Sequence, residues 1–301
     1  MAGRFPGRGR GPRPRGLACA LLRLACVTVA LAPLGGCAAP APTRAMWLWQ
    51  RADPAEVVEW AAAQGVSEIF AYVPQELTAA ERARLSALGK NADAAGIELA
   101  ALGGEPEWAL DHAAALSWLR TAMGTGLFTT AHVDVEPYHL PAWRTDRAGT
   151  VASFTALLAK LRDADPRPLE ADVPFWYHTI PAGPSGSASS ASSADSATLA
   201  DEVLARTDAV TVMSYRDTAT GPGSIMEISA DMLRRGQRAG RPVRLGAETL
   251  RLPDCPHCTF HDRGREAMDA ALAEVDAAAA EYPSFAGIAV HDYTAWTTLR
   301  P

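Results

Sequence analysis

From Ala45 to Pro301 the chain repeats one pattern: a short run rich in β-branched and aromatic residues, then a longer amphipathic stretch. The strand-like runs are Ala45–Gln50, Ser67–Val73, Ile97–Gly103, Thr129–Glu136, Leu169–His178, Ala209–Tyr215, Val243–Thr249 and Phe285–Tyr293. Helix-like stretches lie between them near 54–64, 78–95, 106–123, 149–163, 197–207, 226–238 and 265–281. In the last of these Met268, Leu272 and Val275 recur at helical spacing. Strands joined by helices pair in parallel, because each helix returns the chain to the same end of the sheet. Eight such units in about 250 residues predict an α/β fold, a (β/α)8 TIM barrel of eight parallel strands whose closing helix is short or absent. A doubly wound open sheet is the competing reading, but no Gly-rich phosphate loop follows the first strand.

The residues ahead of this pattern differ in kind. Arg4, Arg8, Arg10, Arg13 and Arg15 form a basic start, Leu24–Leu34 is an apolar run, and Leu34-Gly-Gly-Cys37 closes it. That order is a signal peptide, and its last four residues are similar to a bacterial lipobox, with Cys37 as the lipidation site. Residues 1–37 are thus expected to form the signal, 38–44 a tether, and 45–301 the barrel domain. The apolar run is too short for a membrane-spanning helix. An exported protein, held outside the bacterial membrane through its N-terminal lipid only, is the expectation. Six arginines and no acid in residues 1–37 leave the rest of the chain with a net charge of −12, against −6 for the whole. Such an acidic domain excludes nucleic acid as a partner, and a monomer is expected. Cys255 and Cys258, in Cys-Pro-His-Cys, are the cysteines remaining beyond Cys37. Export favours a disulfide between them; a metal site adding His257 and His261 is the alternative. Pro184–Asp195 is a low-complexity loop of small polar residues.

Barrels of this type hold their active sites at the C-terminal ends of the strands. The fourth strand-like run places His132, Asp134 and Glu136 at period two, hence on one face. The other strand ends supply Trp47 and Trp49, Tyr72, Trp176 and His178, Tyr215, Glu248, and then His291 and Tyr293 with Trp296 beyond. Acids ringed by aromatics suit a sugar, whose apolar ring faces stack on Trp and Tyr. Catalytic metal ligation by His132, Asp134, Glu136, His178 and His291 is limited by geometry, since strand residues four apart lie about 13 Å from one another. No metal or other cofactor is implied.

These residues resemble glycoside hydrolase family 18, the chitinase superfamily. Asp134 and Glu136 match the last two acids of its D-x-x-D-x-D-x-E motif, Ala101-Leu-Gly-Gly104 resembles S-x-G-G, and Met213-Ser-Tyr215 resembles M-x-Y-D with the acid displaced to Asp217. Trp296 resembles the strand-eight tryptophan. The resemblance implies glycosidic hydrolysis of a polysaccharide, with Glu136 as general acid. Asp134 would orient a 2-acetamido group that Tyr215 holds while its carbonyl attacks. The motif's first two acids are Thr129 and His132 here, its serine is Ala101, and Pro137 follows the acid. Two other readings stand beside this one. A retaining glycosidase would use Glu136 as acid/base and Glu248 as nucleophile, and a lectin-like barrel would bind glycan without cleaving it.

Overall fold

A computed structural model of the chain describes residues 43–183 and 197–301. The signal, Cys37, the tether up to residue 42 and the low-complexity segment lie outside the described residues. Eight parallel strands close into a barrel in sequence order: β1 Arg44–Leu48, β2 Val66–Tyr72, β3 Glu98–Gly103, β4 Thr130–Val133, β5 Leu169–Pro174, β6 Ala209–Met213, β7 Val243–Glu248 and β8 Phe285–His291. The seam is β1 against β8, with Arg44–Met46 paired to Ile288–Val290. The fold is the (β/α)8 barrel expected of the alternation.

Local chemistry sets where most of the helices begin. Asp53 accepts from the Ala55 and Glu56 N–H groups ahead of α1 (Pro54–Ala63), Thr78 from Glu81 ahead of α2 (Ala79–Ala95), and Asp111 from Ala114 ahead of α3 (His112–Met123). Such side-chain caps satisfy donors that the first helical turn leaves unpaired. A short α4 (Ala142–Thr145) precedes α5 (Arg147–Ala164), whose cap is Asp146. Thr198 and Asp201 form a capping box on α6 (Leu199–Arg206), and Ser224 caps α7 (Ile225–Ala239). After α8 (Arg265–Ala279) and β8 comes the closing helix, α9 (Tyr293–Thr297), only five residues long and capped by Asp292. Among the described residues no helix is long and apolar enough to cross a membrane.

Two apolar layers follow from the period-two strands. Outward-facing residues such as Leu48, Ile69, Val133, Val173 and Leu245 pack under the helices with Leu85, Trp118, Phe154 and Met232. A smaller inner cluster holds Ala45, Trp47, Phe70, Ala100, Leu102 and Ala289. Its three alanines leave room for large and charged inward side chains on the remaining strands.

Several strand-like runs end earlier than their composition suggests. β4 stops at Val133, so Asp134 and Glu136 stand in the loop beyond it, although Asp134 N–H still bonds Gly103 O (3.0 Å). Pro137 then opens a 3-10 turn, having no N–H to continue a ladder. β5 gives way at Pro174 to a 3-10 turn over Phe175–Thr179. The helix-like stretch at 106–123 is a 3-10 turn, Pro106–Ala109, followed by α3. Gly103 and Gly104 permit the close approach of β3 and β4: a Cβ at 103 would strike the Trp118 ring, and one at 104 the Asp134 carbonyl.

Candidate active site

Five charged or titratable side chains fill the barrel beneath its C-terminal mouth. His132 on β4 lies with Nε2 2.9 Å from Asp172 Oδ1 and Nδ1 3.3 Å from Glu170 Oε2, both on β5. Arg244 on β7 bridges Glu170 and Glu68, each at 2.6 Å. Trp47 Nε1 donates to the second Asp172 oxygen (2.9 Å), and the His132 ring stacks on Phe70 with centroids 3.8 Å apart. Burial pulls the His132 pKa down, but the charges and hydrogen bonds of Asp172 and Glu170 outweigh it and push it to about 10. Burial likewise opposes the charge on Glu170, yet His132 and Arg244 hold it down to about 2. On Glu68 burial wins over the attraction of Arg244 and raises the pKa to about 7. The interior thus sets two basic side chains, His132 and Arg244, against three acids, Glu68, Glu170 and Asp172.

Asp134 sits above this network. Its pKa is raised by burial, then by the negative charges of Asp172 and Glu136, with His132 pulling the other way. Its Oδ1 is enclosed and has no hydrogen-bond partner among the described residues. Glu136 accepts from the Tyr138 hydroxyl and lies 3.3 Å from His139 Nε2. It lines a cavity of about 290 Å³ with Tyr138, Phe175, Trp176, Tyr215 and Arg216. Burial raises the Tyr215 pKa, and the charges of Glu248, Asp172, Asp134 and Glu136 raise it further, so four carboxylates converge on this phenol. A neutral Tyr–OH set among acids can donate a hydrogen bond to a bound carbonyl or hydroxyl.

Glu248 is held differently. Its Oε1 accepts from Thr249 N–H and Leu250 N–H, both at 2.7 Å, and its Oε2 lies 3.0 Å from His291 Nδ1. On the other side of that ring Trp49 Nε1 donates to His291 Nε2 (3.1 Å), which requires a lone pair there. Burial lowers the His291 pKa and Glu248 more than reverses this, so protonation of the ring would break the Trp49 bond. Trp49 also leans on Tyr72, with centroids 5.7 Å apart.

The expected site residues therefore divide. Glu136, Tyr215 and Trp176 line one cavity, with Asp134 beside them; Trp49, Tyr72, Glu248 and His291 form a second cluster at the mouth. His178 turns back to the Phe175 carbonyl (2.8 Å) and does not line the cavity. Of three further aromatics expected at a substrate surface, Trp47 and Trp296 are core and Tyr293 is half-buried. Trp47 is 1% exposed inside the barrel. Trp296 packs edge-on against Trp60 of α1 at 4.6 Å, and Tyr293 does so at 5.8 Å, because both belong to α9 on the outside of the barrel. Asp217 does not stand in for a motif acid in the cavity, since it pairs with Arg263 (3.1 Å). Cys255 and Cys258 are joined as a disulfide, with Cα atoms 5.3 Å apart. His257 lies beside the pair, whereas His261 turns to Asp262 (2.9 Å), so the four do not assemble as one ligand set. The reading from sequence passed over Glu68, Glu170, Asp172 and Arg244. Glu170 and Asp172 carried a usable signal, two acids at period two in an otherwise apolar strand.

No family model matches the chain, and no curated protein sequence does. Among solved structures the barrel is similar to a GH18 chitinase from Pseudoalteromonas aurantia, with a TM-score of 0.52 and 12% identity over 84% of this chain and 94% of that one. A chitinase from Chromobacterium violaceum matches at a TM-score of 0.45 and 14% identity over 69% of each chain. The Bacillus cereus spore cortex-lytic enzyme SleL matches at 0.44 and 10% identity over 69% of this chain. The chain spans only 51% of the length of that last protein. What is shared at these identities is the fold, a (β/α)8 barrel similar to that of a glycoside hydrolase family 18 chitinase.

Proposed function

We propose that the chain hydrolyses glycosidic bonds of a cell-surface or environmental polysaccharide, with Glu136 as the general acid. One observation carries this reading: Glu136 and Tyr215 line the same aromatic-walled cavity at the C-terminal end of the barrel. Asp134, whose pKa is raised by burial and by the neighbouring acids, would hydrogen-bond the acetamido group or Glu136. Tyr215 would hold the acetamido carbonyl as it attacks the anomeric carbon. The similar barrel from P. aurantia is a chitinase, which makes 2-acetamido glycans the first substrates to try. Glu248 serves better as a positioning residue than as a nucleophile, because two backbone N–H groups and His291 occupy its oxygens. The basic start, apolar run and Leu-Gly-Gly-Cys37 series supports export and lipid anchoring.

Glu136→Gln keeps shape and hydrogen bonding but removes the proton donor, so turnover should fall by about 100-fold or more while binding survives. Asp134→Asn should hurt most on 2-acetamido sugars. The test is cleavage by wild type and both variants across bacterial and fungal polysaccharides. Glycan binding without cleavage by the wild type on any of them would leave the lectin-like reading and remove the enzymatic one.

A further inference from the structure

The wall of the Glu136 cavity opposite in charge to the acid is Arg216, immediately after Tyr215. Its sequence position is where the M-x-Y-D pattern has its acid. The guanidinium is fixed by three contacts. Its Cζ lies 5.3 Å from the centroid of the Phe175 ring, Nη1 donates to the Tyr215 carbonyl (2.6 Å), and the same Nη1 lies 3.6 Å from Cys258 Sγ. A planar cation stacked on an aromatic face is held in orientation without losing its charge.

None of those contacts neutralises it. Arg216 pairs with no carboxylate among the described residues; exposed arginines such as Arg82, Arg120 and Arg144 also lack one, but Arg216 is half-buried in a cavity wall. Glu136, its neighbour in the cavity wall, is bonded to Tyr138 and His139 instead. With Nη1 engaged, the Nε–Nη2 edge has no protein acceptor among the described residues. That edge carries two parallel N–H groups, the geometry that a carboxylate accepts in bidentate fashion. The chain is acidic as a whole, so an unpaired guanidinium in its cavity wall is the local feature that can make an anionic ligand acceptable there.

We infer that the Glu136 cavity selects a glycan bearing a carboxylate beside the scissile bond, recognised by the Nε–Nη2 edge of Arg216. This rests on the proposal that the cavity is the glycan site, and it deepens that proposal by naming the substrate class. Two kinds of sugar supply such a group: a uronic acid, through its ring carboxylate, and an N-acetylmuramic acid unit, through its lactyl ether.

The experiment measures binding by calorimetry to the full chain in detergent, with Glu136→Gln present so that ligands survive. Oligogalacturonate and peptide-free N-acetylglucosamine–N-acetylmuramic acid strands are each compared with their own carboxamide forms. One acid series should bind about tenfold or more tightly than its amide, and the series that does so identifies the source. The preference should shrink with added salt. Arg216→Gln should abolish it, so that acid and amide of each series bind alike, and Arg216→Lys, which keeps the charge but not the fork, should retain part of it. Equal binding of acid and amide in both series would overturn the inference. So would an absence of binding by every ligand, or a preference that survives Arg216→Gln. Should Arg216→Gln fail to fold, the acid–amide comparison in the parent and in Arg216→Lys decides alone: an undiminished preference in Arg216→Lys overturns the bidentate contact. Cleavage of neutral glycans without acid preference would spare the hydrolase reading and remove this one. Acid preference without cleavage of any glycan would do the reverse.

Discussion

At the scale of single residues, His132 decides how the barrel interior tolerates charge. It stands where the family-18 motif has an acid, and it brings a cation between Asp172 and Glu170. Its pKa in the folded barrel is about 10, above the ordinary 6.5. Its contribution to stability is therefore complete below pH 6.5 and lost as pH rises towards 10. Glu68, raised from 4.5 to about 7, acts in the same sense over a lower window. Glu170, lowered from 4.5 to about 2, loses its contribution as pH falls through that range. The melting temperature should accordingly decline on the alkaline side between pH 6.5 and 10. His132→Gln takes the cation from buried Asp172 and leaves Glu170 to Arg244 alone, a loss of about 3–5 kcal/mol at neutral pH, and it should flatten that alkaline decline. Thermal melts of both proteins from pH 5 to 10 check this; a wild-type curve level across the alkaline range would contradict the assignment.

At the scale of elements, the approach of β3 to β4 is what places Asp134. A Cβ at Gly104 would meet the Asp134 carbonyl oxygen far inside van der Waals contact, whereas one at Gly126 meets nothing within 4 Å and is disfavoured only by its φ of +72°. Gly104→Ala should cost about 1–3 kcal/mol through overpacking and should also impair glycan cleavage by displacing Asp134. Gly126→Ala should cost about 1 kcal/mol through backbone conformation alone and leave cleavage unchanged. Denaturant melts together with turnover separate the two effects. The alternation of strands and helices was legible in the sequence because it is written in local pattern: period two in the strands, and helical spacing such as that of Met268, Leu272 and Val275. Strand ends were less so, since the ladder stops where the neighbouring strand stops, and β4 reaches only Val133. The interior network was hidden for a different reason, its partners being as far apart as Glu68 and Arg244, 176 positions along the chain. Trp47 and Trp49 share a strand-like run and a face in the sequence; only closure of the barrel makes one core and the other part of the mouth.

At the scale of the whole molecule, the proposed lipid attachment and the proposed chemistry rest on different residues, Cys37 and the barrel's cavity, and can be tested apart. If Cys37 carries the lipid, Cys37→Ser should move the protein from the detergent phase to the aqueous phase on partitioning, with barrel stability unchanged. Equal membrane retention of wild type and variant would remove the lipoprotein reading. The chain also meets itself at a second place that matters for its history. Pro181 bridges Thr198, and Ala182 N–H bonds Ala197 O at 3.0 Å, so the residues on either side of segment 184–196 are already neighbours. A segment that begins and ends at one point spans no distance, and its length is uncoupled from the spacing of β5 and α6. Descendants of this gene can lengthen, shorten or replace it without renegotiating the barrel, and a protein engineer can treat it as a port for a foreign domain.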